Sequence, residues 1–155
     1  MTNSPTNGDG LLVIGYGNSL RGDDGMGPAA AEVLRAEGID ALAVHQLTPE
    51  LAERIAGART VIFLDADAGT APGEIAIANV PVVAGALKPM EHHASPPALL
   101  RLAREVYGAR PDAWLIAMGG ADFDLGDSLS DLGKLAVAKA VAEVSARQCA
   151  RLRSK

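Results

Sequence analysis

Ile14-Gly15-Tyr16-Gly17-Asn18-Ser19-Leu20-Arg21-Gly22-Asp23-Asp24-Gly25-Met26-Gly27-Pro28 is the stretch whose reading decides the architecture. Before it, Leu11-Leu12-Val13-Ile14 is a short apolar run of the kind that forms a buried strand. After it, Pro28-Ala29-Ala30-Ala31-Glu32-Val33-Leu34 reads as a helix with proline in its first turn. Between them lie five glycines and the adjacent acids Asp23 and Asp24. Glycine admits positive φ and lets other groups approach the backbone closely. The unit is therefore strand, loop and helix, with a loop that presents carboxylates. A nucleotide loop does not fit. Gly15-Tyr16-Gly17-Asn18-Ser19-Leu20 lacks the third glycine of the dinucleotide fingerprint, and no Gly-Lys-Ser/Thr follows. Two aspartates would also repel a phosphate, so the loop suits a cation better than an anion.

The chain has 155 residues, of which 48% are apolar, enough for one domain with a sizeable core. No apolar run approaches the length of a membrane span. Residues 1–9 are polar, without a basic or apolar leader segment, and read as a disordered tail on a single domain over 10–155. The expected location is the cytoplasm. The single cysteine, Cys149, excludes an internal disulfide and a cysteine-rich metal site. Net charge is −5 and no basic cluster precedes the terminal Arg151-Leu152-Arg153-Ser154-Lys155. Neither nucleic acid nor a membrane is expected as a partner, and the chain is expected to be a monomer.

Outward from the opening unit, strands and helices alternate. The first helix is expected over Pro28 to Glu37 and a second strand over Ala41 to Gln46. Thr48 is expected to cap a second helix with Pro49 at its first position, ended by Gly57. Thr60-Val61-Ile62-Phe63-Leu64 is the strongest strand and runs into Asp65-Ala66-Asp67. Glu74 to Val80 reads as a fourth strand. Ser95 caps a helix starting at Pro96-Pro97, with Leu99, Ala103 and Val106 inward, and Gly108 ends it. Ala113 to Met118 is a fifth strand, and Ser128 or Ser130 opens a last helix with Leu132, Ala136, Ala140 and Val144 in one row. Only eight residues separate Asp65 from Glu74, too few for a parallel crossover of about a dozen. The expected fold is α/β: a five-stranded, mostly parallel sheet with one antiparallel edge strand and helices on both faces.

Ligands of such sheets collect at the carboxyl ends of the parallel strands. Asp23 and Asp24 follow the first strand and Asp65 and Asp67 follow the third, so both stations lie there. The long unpatterned stretch Pro81 to Ala94 leads to a helix that must descend from the same edge, which brings His92 and His93 to it. Carboxylates with an imidazole suit zinc, nickel or related ions. Asp23 is expected to brace the glycine loop through backbone amides, and Asp67 to be a solvated turn acid.

These residues resemble the maturation endopeptidases of nickel–iron hydrogenases. The resemblance runs from Leu12 to about Val144. It is carried by Gly15-x-Gly17-Asn18-x-Leu20-x-x-Asp23-Asp24-Gly25-x-Gly27, then Asp65-Ala66, then His92-x-x-Ser95-Pro96 with Leu99-Leu100. It closes with Gly119-Gly120-Ala121-Asp122-Phe123 and Leu129-Ser130. The resemblance implies three metal-binding residues, which by motif fall on Asp24, Asp65 and His92. His92 sets Pro96 and Leu100 where the family's helix start has them, whereas His93 shifts both by one. It implies that Gly119-Gly120, in itself a turn after the fifth strand, borders the substrate groove. It implies one cut that removes a C-terminal extension from the precursor of the hydrogenase large subunit after nickel is loaded. The nickel comes with the substrate, and no permanent cofactor is expected.

The residues show no Gly-x-Ser-x-Gly elbow and no His-Glu-x-x-His helix, and the cysteine is badly placed. That leaves metal-assisted hydrolysis, or a metal that only docks the substrate while a free carboxylate acts as base, Asp24 first among candidates. The competing reading is a nickel-dependent checkpoint or carrier that binds the precursor without cutting it.

Overall fold

The computed structural model describes residues 10–82 and 94–153. The tail expected over residues 1–9, and both His92 and His93, lie outside the described residues.

The opening run forms β1, Leu11–Tyr16, buried through Gly15. The chain then passes a 3₁₀ turn at Gly22–Gly25 into α1, Met26–Ala36. Next come β2 (Ala41–Val44), α2 (Leu51–Ala56), β3 (Thr60–Asp67) and β4 (Ile75–Asn79). The chain closes with α3 (Pro96–Tyr107), β5 (Asp112–Gly119) and α4 (Asp131–Arg153). The sheet order is β2-β1-β3-β5-β4. All neighbours are parallel except β4, which pairs antiparallel with β5 at one edge, Ile77 opposite Ile116. The expected mixed sheet is what forms.

Strand alternation sorts the core into two layers. Leu11, Val13, Ile62, Leu64, Ile116 and Met118 face α1 and α4, where Ala30, Leu34, Ala136, Ala140 and Val144 meet them. Leu12, Ile14, Val61 and Phe63 face α2 and α3, meeting Ile55, Leu99, Leu100 and Ala103. The β1–α1 contact depends on paired glycines. A Cβ on Gly15 would lie 2.8 Å from the Ala31 Cβ, and one on Gly27 would lie 2.6 Å from the Leu64 carbonyl oxygen. Any larger residue would push the helix off the sheet.

Several boundaries differ from expectation. The first helix begins at Met26, two residues before Pro28, because the glycine loop winds into it through the 3₁₀ turn. Thr48 does not cap with its side chain. Its carbonyl accepts from the Leu51 N–H at 3.1 Å, a turn preceding a helix whose N-cap is Glu50. Val106 is 60% exposed, since α3 has twelve residues and α2, on which it packs, has six. Leu132 is 43% exposed. It leans on the turn before β4, where a Cβ on Gly73 would lie 3.1 Å from its Cδ2. Ser95 does cap α3, accepting from the Ala98 N–H at 3.3 Å, and Gly108 ends it at φ 69°. Ser130 rather than Ser128 caps α4, its hydroxyl accepting from the Gly133 N–H at 2.9 Å.

Candidate functional site

β1 and β3 both run two or more residues beyond their apolar cores, and the site is built on those extensions. Tyr16 continues the parity of Leu12 and Ile14, and Asp65 continues that of Val61 and Phe63. Both side chains therefore emerge on the α2/α3 face at the carboxyl edge. Asp65 stays within the ladder, paired with Ala117 of β5. The Tyr16 hydroxyl donates to Asp65 Oδ2 at 3.1 Å. Tyr16 was not among the residues singled out in the sequence. The signal lay in its even spacing from Leu12, which was cut off by ending the strand at Ile14.

Burial pushes the Asp65 carboxyl up to about 6. The Tyr16 hydrogen bond works against this, while the negative charge of Asp24 adds to it. The Asp24 and Asp65 carboxylates thus come within electrostatic range of one another, from the loop after β1 and from β3. Burial, followed by the Asp65 charge, also raises the Tyr16 phenol well above its ordinary value, so it stays a hydrogen-bond donor. Asp24 is half-buried and its Oδ2 accepts from the Asn18 N–H at 2.8 Å, which folds the glycine loop back on itself.

Asp23 points elsewhere. It is fully buried, and the loop it braces is the one after β5 rather than its own. Its Oδ2 accepts from the Ala121 N–H at 2.7 Å, the Asp122 N–H at 3.1 Å and the Ser130 hydroxyl at 2.6 Å. Its Oδ1 accepts from the Ser130 N–H at 2.8 Å. Burial alone would raise its pKa, but the hydrogen bonds, led by that of the Ser130 hydroxyl, hold it below the usual carboxylate value. Glycines make the seat. A Cβ on Gly120 would lie 2.6 Å from the Asp23 Cβ, and one on Gly133 would lie 2.7 Å from its Cγ. Backbone bonds reinforce the clamp: Asp23 N–H to the Asp122 carbonyl (2.7 Å), Gly22 N–H to the Gly126 carbonyl (2.9 Å) and Gly126 N–H to the Leu20 carbonyl (2.9 Å). Asp67 is an exposed turn acid, as expected, accepting from the Gly69 N–H and the Thr70 hydroxyl.

A groove of about 440 Å³ opens beside the carboxylate. Tyr16, Asp65 and Leu115 line it with Ala78 to Pro81 and with the start of α3, Ser95 to Pro97. It is apolar apart from a few polar groups, as binding clefts are. Among the described residues no three His, Cys, Asp or Glu side chains cluster to hold an ion, so Asp24 and Asp65 are what this part of the chain offers a cation. Carboxylate oxygens fit a divalent ion, and a further donor is needed to complete even an open site. No helix among the described residues is long and apolar enough to cross a membrane.

No protein-family model matches the chain, and no curated protein does. Solved structures do. One is the [NiFe] hydrogenase maturation protease HybD from Thermococcus kodakarensis. It is 25% identical over 89% of this chain and 97% of that one, with a TM-score of 0.69. A second is the [NiFe] hydrogenase maturation protease HycI from Thermococcus kodakarensis KOD1. It is also 25% identical, over 86% and 88% of the two chains, with a TM-score of 0.66. The hydrogenase maturating endopeptidase HybD from E. coli, at 21% identity, 88% and 90% coverage and a TM-score of 0.65, shares the fold.

Proposed function

We propose that this chain, which belongs to the nickel–iron hydrogenase maturation endopeptidase family, removes the C-terminal extension of a hydrogenase large-subunit precursor and meets the nickel in that precursor through Asp24, Asp65 and His92. The observation that carries the proposal is the pairing of Asp24 and Asp65. The loop after β1 and the end of β3, far apart in sequence, bring them to one sheet edge, beside a groove open enough for an extended peptide. The nickel is part of the substrate and needs no resident partner in the protease. Three protein donors, two of them carboxylates, leave positions for ligands that the precursor supplies. The reading places the protein in the cytoplasm as a monomer.

Asp24 and Asp65 would hold a cation, which would supply Lewis-acid chemistry toward a carbonyl or a bound water. The chain's own groups do the rest. The groove holds the peptide alongside Asp65. The Tyr16 hydroxyl fixes Oδ2 of Asp65 and keeps that carboxylate turned toward the groove. Burial raises the metal-free Asp65 carboxyl to about 6, so a cation engaging it would displace its proton. Asp24, braced by the Asn18 N–H, is the base we assign to the attacking water.

The test mixes purified, chelator-treated protein with nickel-loaded and with metal-free precursor and follows the precursor's mass. Loss of the C-terminal extension from the loaded form alone is expected. Equal cutting of both forms, or activity restored only by giving zinc to the protease, refutes recognition of substrate nickel. Binding of the loaded precursor without any cut would point to a checkpoint or carrier.

A further inference from the structure

We propose that Ser130 is a positioning residue for the cleavage reaction: through the buried Asp23 it sets the direction of Asp24, a role that rests on the base assignment above and adds a residue to the same reaction.

The loop that carries Asp24 does not hold its own shape. It is rich in glycine, and Gly22 turns the chain at φ 55°. Its internal bonds are few. The Asn18 N–H donates to Asp24 Oδ2 at 2.8 Å, the Leu20 N–H to Asn18 Oδ1 at 2.9 Å, and the Asp24 N–H to the Arg21 carbonyl at 3.0 Å. Apart from the chain's continuation into α1, the hydrogen bonds that tie residues 18–24 to the rest of the described residues all end within 121–130. The direction of Asp24 is therefore set from outside its loop, by the segment after β5.

Asp23 transmits that setting. Asp23 and Asp24 are consecutive in the 3₁₀ turn Gly22–Gly25. Such a turn has about 3 residues per revolution, so neighbouring side chains leave it about 120° apart. With Asp23 aimed into the seat of Gly120 and Gly133, Asp24 is aimed away from it, toward Asn18. A turn rolled far enough to release Asp23 swings Asp24 through the same arc.

Ser130 joins the seat to a long helix. Its hydroxyl donates to Asp23 Oδ2 at 2.6 Å and accepts from the Gly133 N–H at 2.9 Å, while its own N–H donates to Asp23 Oδ1 at 2.8 Å. One residue thus bonds both carboxylate oxygens and caps α4. That helix packs on α1, into which the turn itself leads. The acid is held from both sides by one rigid frame, the kind of support that keeps a reacting group in register. Ser130 does not line the groove, so its route to the reaction runs through Asp23.

The experiment compares wild type with Ser130→Ala, Ser130→Thr and Ile39→Val. Ser130→Ala removes one of four bonds to Asp23 and leaves three N–H donors, so the chain still folds. Ser130→Thr keeps the hydroxyl. Ile39→Val trims the buried core just past α1 and lowers stability without touching the clamp. Nickel-loaded precursor is the substrate, at a temperature where all four proteins are folded. Ser130→Ala should lower kcat about ten- to a hundredfold, the range in which small misplacements fall, with KM changed by about twofold or less. Ser130→Thr should recover most of the rate, and Ile39→Val should lose none. A second readout needs no substrate. The Asn18 N–H is bonded to Asp24, so its NMR shift and hydrogen exchange report where that carboxylate points. In Ser130→Ala the resonance should move and exchange should quicken about tenfold or more, while Ile39→Val leaves both unchanged, because loop amides exchange by local opening. An unchanged kcat in Ser130→Ala overturns the proposal. So does an equal loss in Ile39→Val, which would make the effect one of stability. A fall in kcat with the Asn18 amide unmoved overturns it too, since Asp24 would then not have shifted. Wild type that cuts no precursor overturns the substrate reading and the catalytic role of Ser130 with it, and is told apart by an Asn18 amide that still responds.

Discussion

Replacing Asp23 by asparagine keeps the size of the side chain and removes its charge, and the structure sets the cost. The carboxylate is fully buried and faces only donors. Oδ2 takes three hydrogen bonds and Oδ1 takes one, from the Ser130 N–H at 2.8 Å. An asparagine does best with its oxygen in the Oδ2 place, which sets its NH2 against the Ser130 N–H. One bond to a charged group is lost, worth about 1.5–3 kcal/mol, and buried donors are left facing each other at about 1–3 kcal/mol more. The sum, about 2.5–6 kcal/mol, is a large share of the roughly 5–15 kcal/mol that stabilises a typical domain. At roughly 2–4 °C per kcal/mol for a chain of this size, melting should fall by about 5–24 °C. Urea titration followed by circular dichroism and by the fluorescence of Trp114 measures it. Asp24→Asn, whose amide oxygen can still accept from the Asn18 N–H in the place of Oδ2, is the control and should cost about 1 kcal/mol or less. The pH dependence has a definite sign. The folded pKa of Asp23 lies below its ordinary value, so its contribution is complete above about pH 4 and is lost as pH falls through the folded pKa. The gap between wild type and Asp23→Asn should stay flat from pH 7 to about 4 and narrow only below. A gap under about 0.5 kcal/mol at pH 7, or one already closing near pH 6, refutes the clamp.

Asp65 works in the opposite direction. Its pKa is raised to about 6, so ionising it costs stability as pH climbs from about 4 to 6. Asp65→Asn should melt higher than wild type at pH 7.5 and no differently at pH 4, and thermal scans at the two pH values check it. Tyr16→Phe removes a hydrogen bond that lowers the same pKa, so the Asp65 carboxyl, followed by NMR titration, should titrate at a higher pH. Asp24→Asn should reduce cleavage of nickel-loaded precursor by about 100-fold or more, the scale of a lost general base, with the far-UV spectrum unchanged. Gly27→Ala puts a methyl against the Tyr16 and Leu64 backbone and should leave little folded protein, read as loss of soluble yield and of the cooperative melt.

The fold was largely legible along the chain because its signals are local. Buried strands such as Thr60–Leu64 announce themselves as apolar runs, Ser95 and Gly108 punctuate a helix, and the short link after Asp67 forces an antiparallel return. The fold also places Asp24 and Asp65 at one edge by topology alone. What the sequence did not hold was partnership across distance. Val106 and Leu132 sit at proper helical spacing, but burial depends on how far a neighbouring element reaches, and α2 is too short to cover the end of α3. Asp65 belongs to β3 rather than to its turn because β5 offers Ala117 as a pairing partner. Asp23 reads as a loop brace, yet the loop it braces lies about a hundred residues away, in a seat made by Gly120 and Gly133. Tyr16 gains a role only where β1 and β3 run side by side. By itself the sequence determined which residue types sit on which edge of the sheet, since periodicity and chain direction are properties of neighbours. Only the tertiary structure decided that Asp23, already legible as a brace, clamps the loop after β5 rather than its own glycine loop. That choice is made by the donors it meets, and those donors come from a loop elsewhere in the chain.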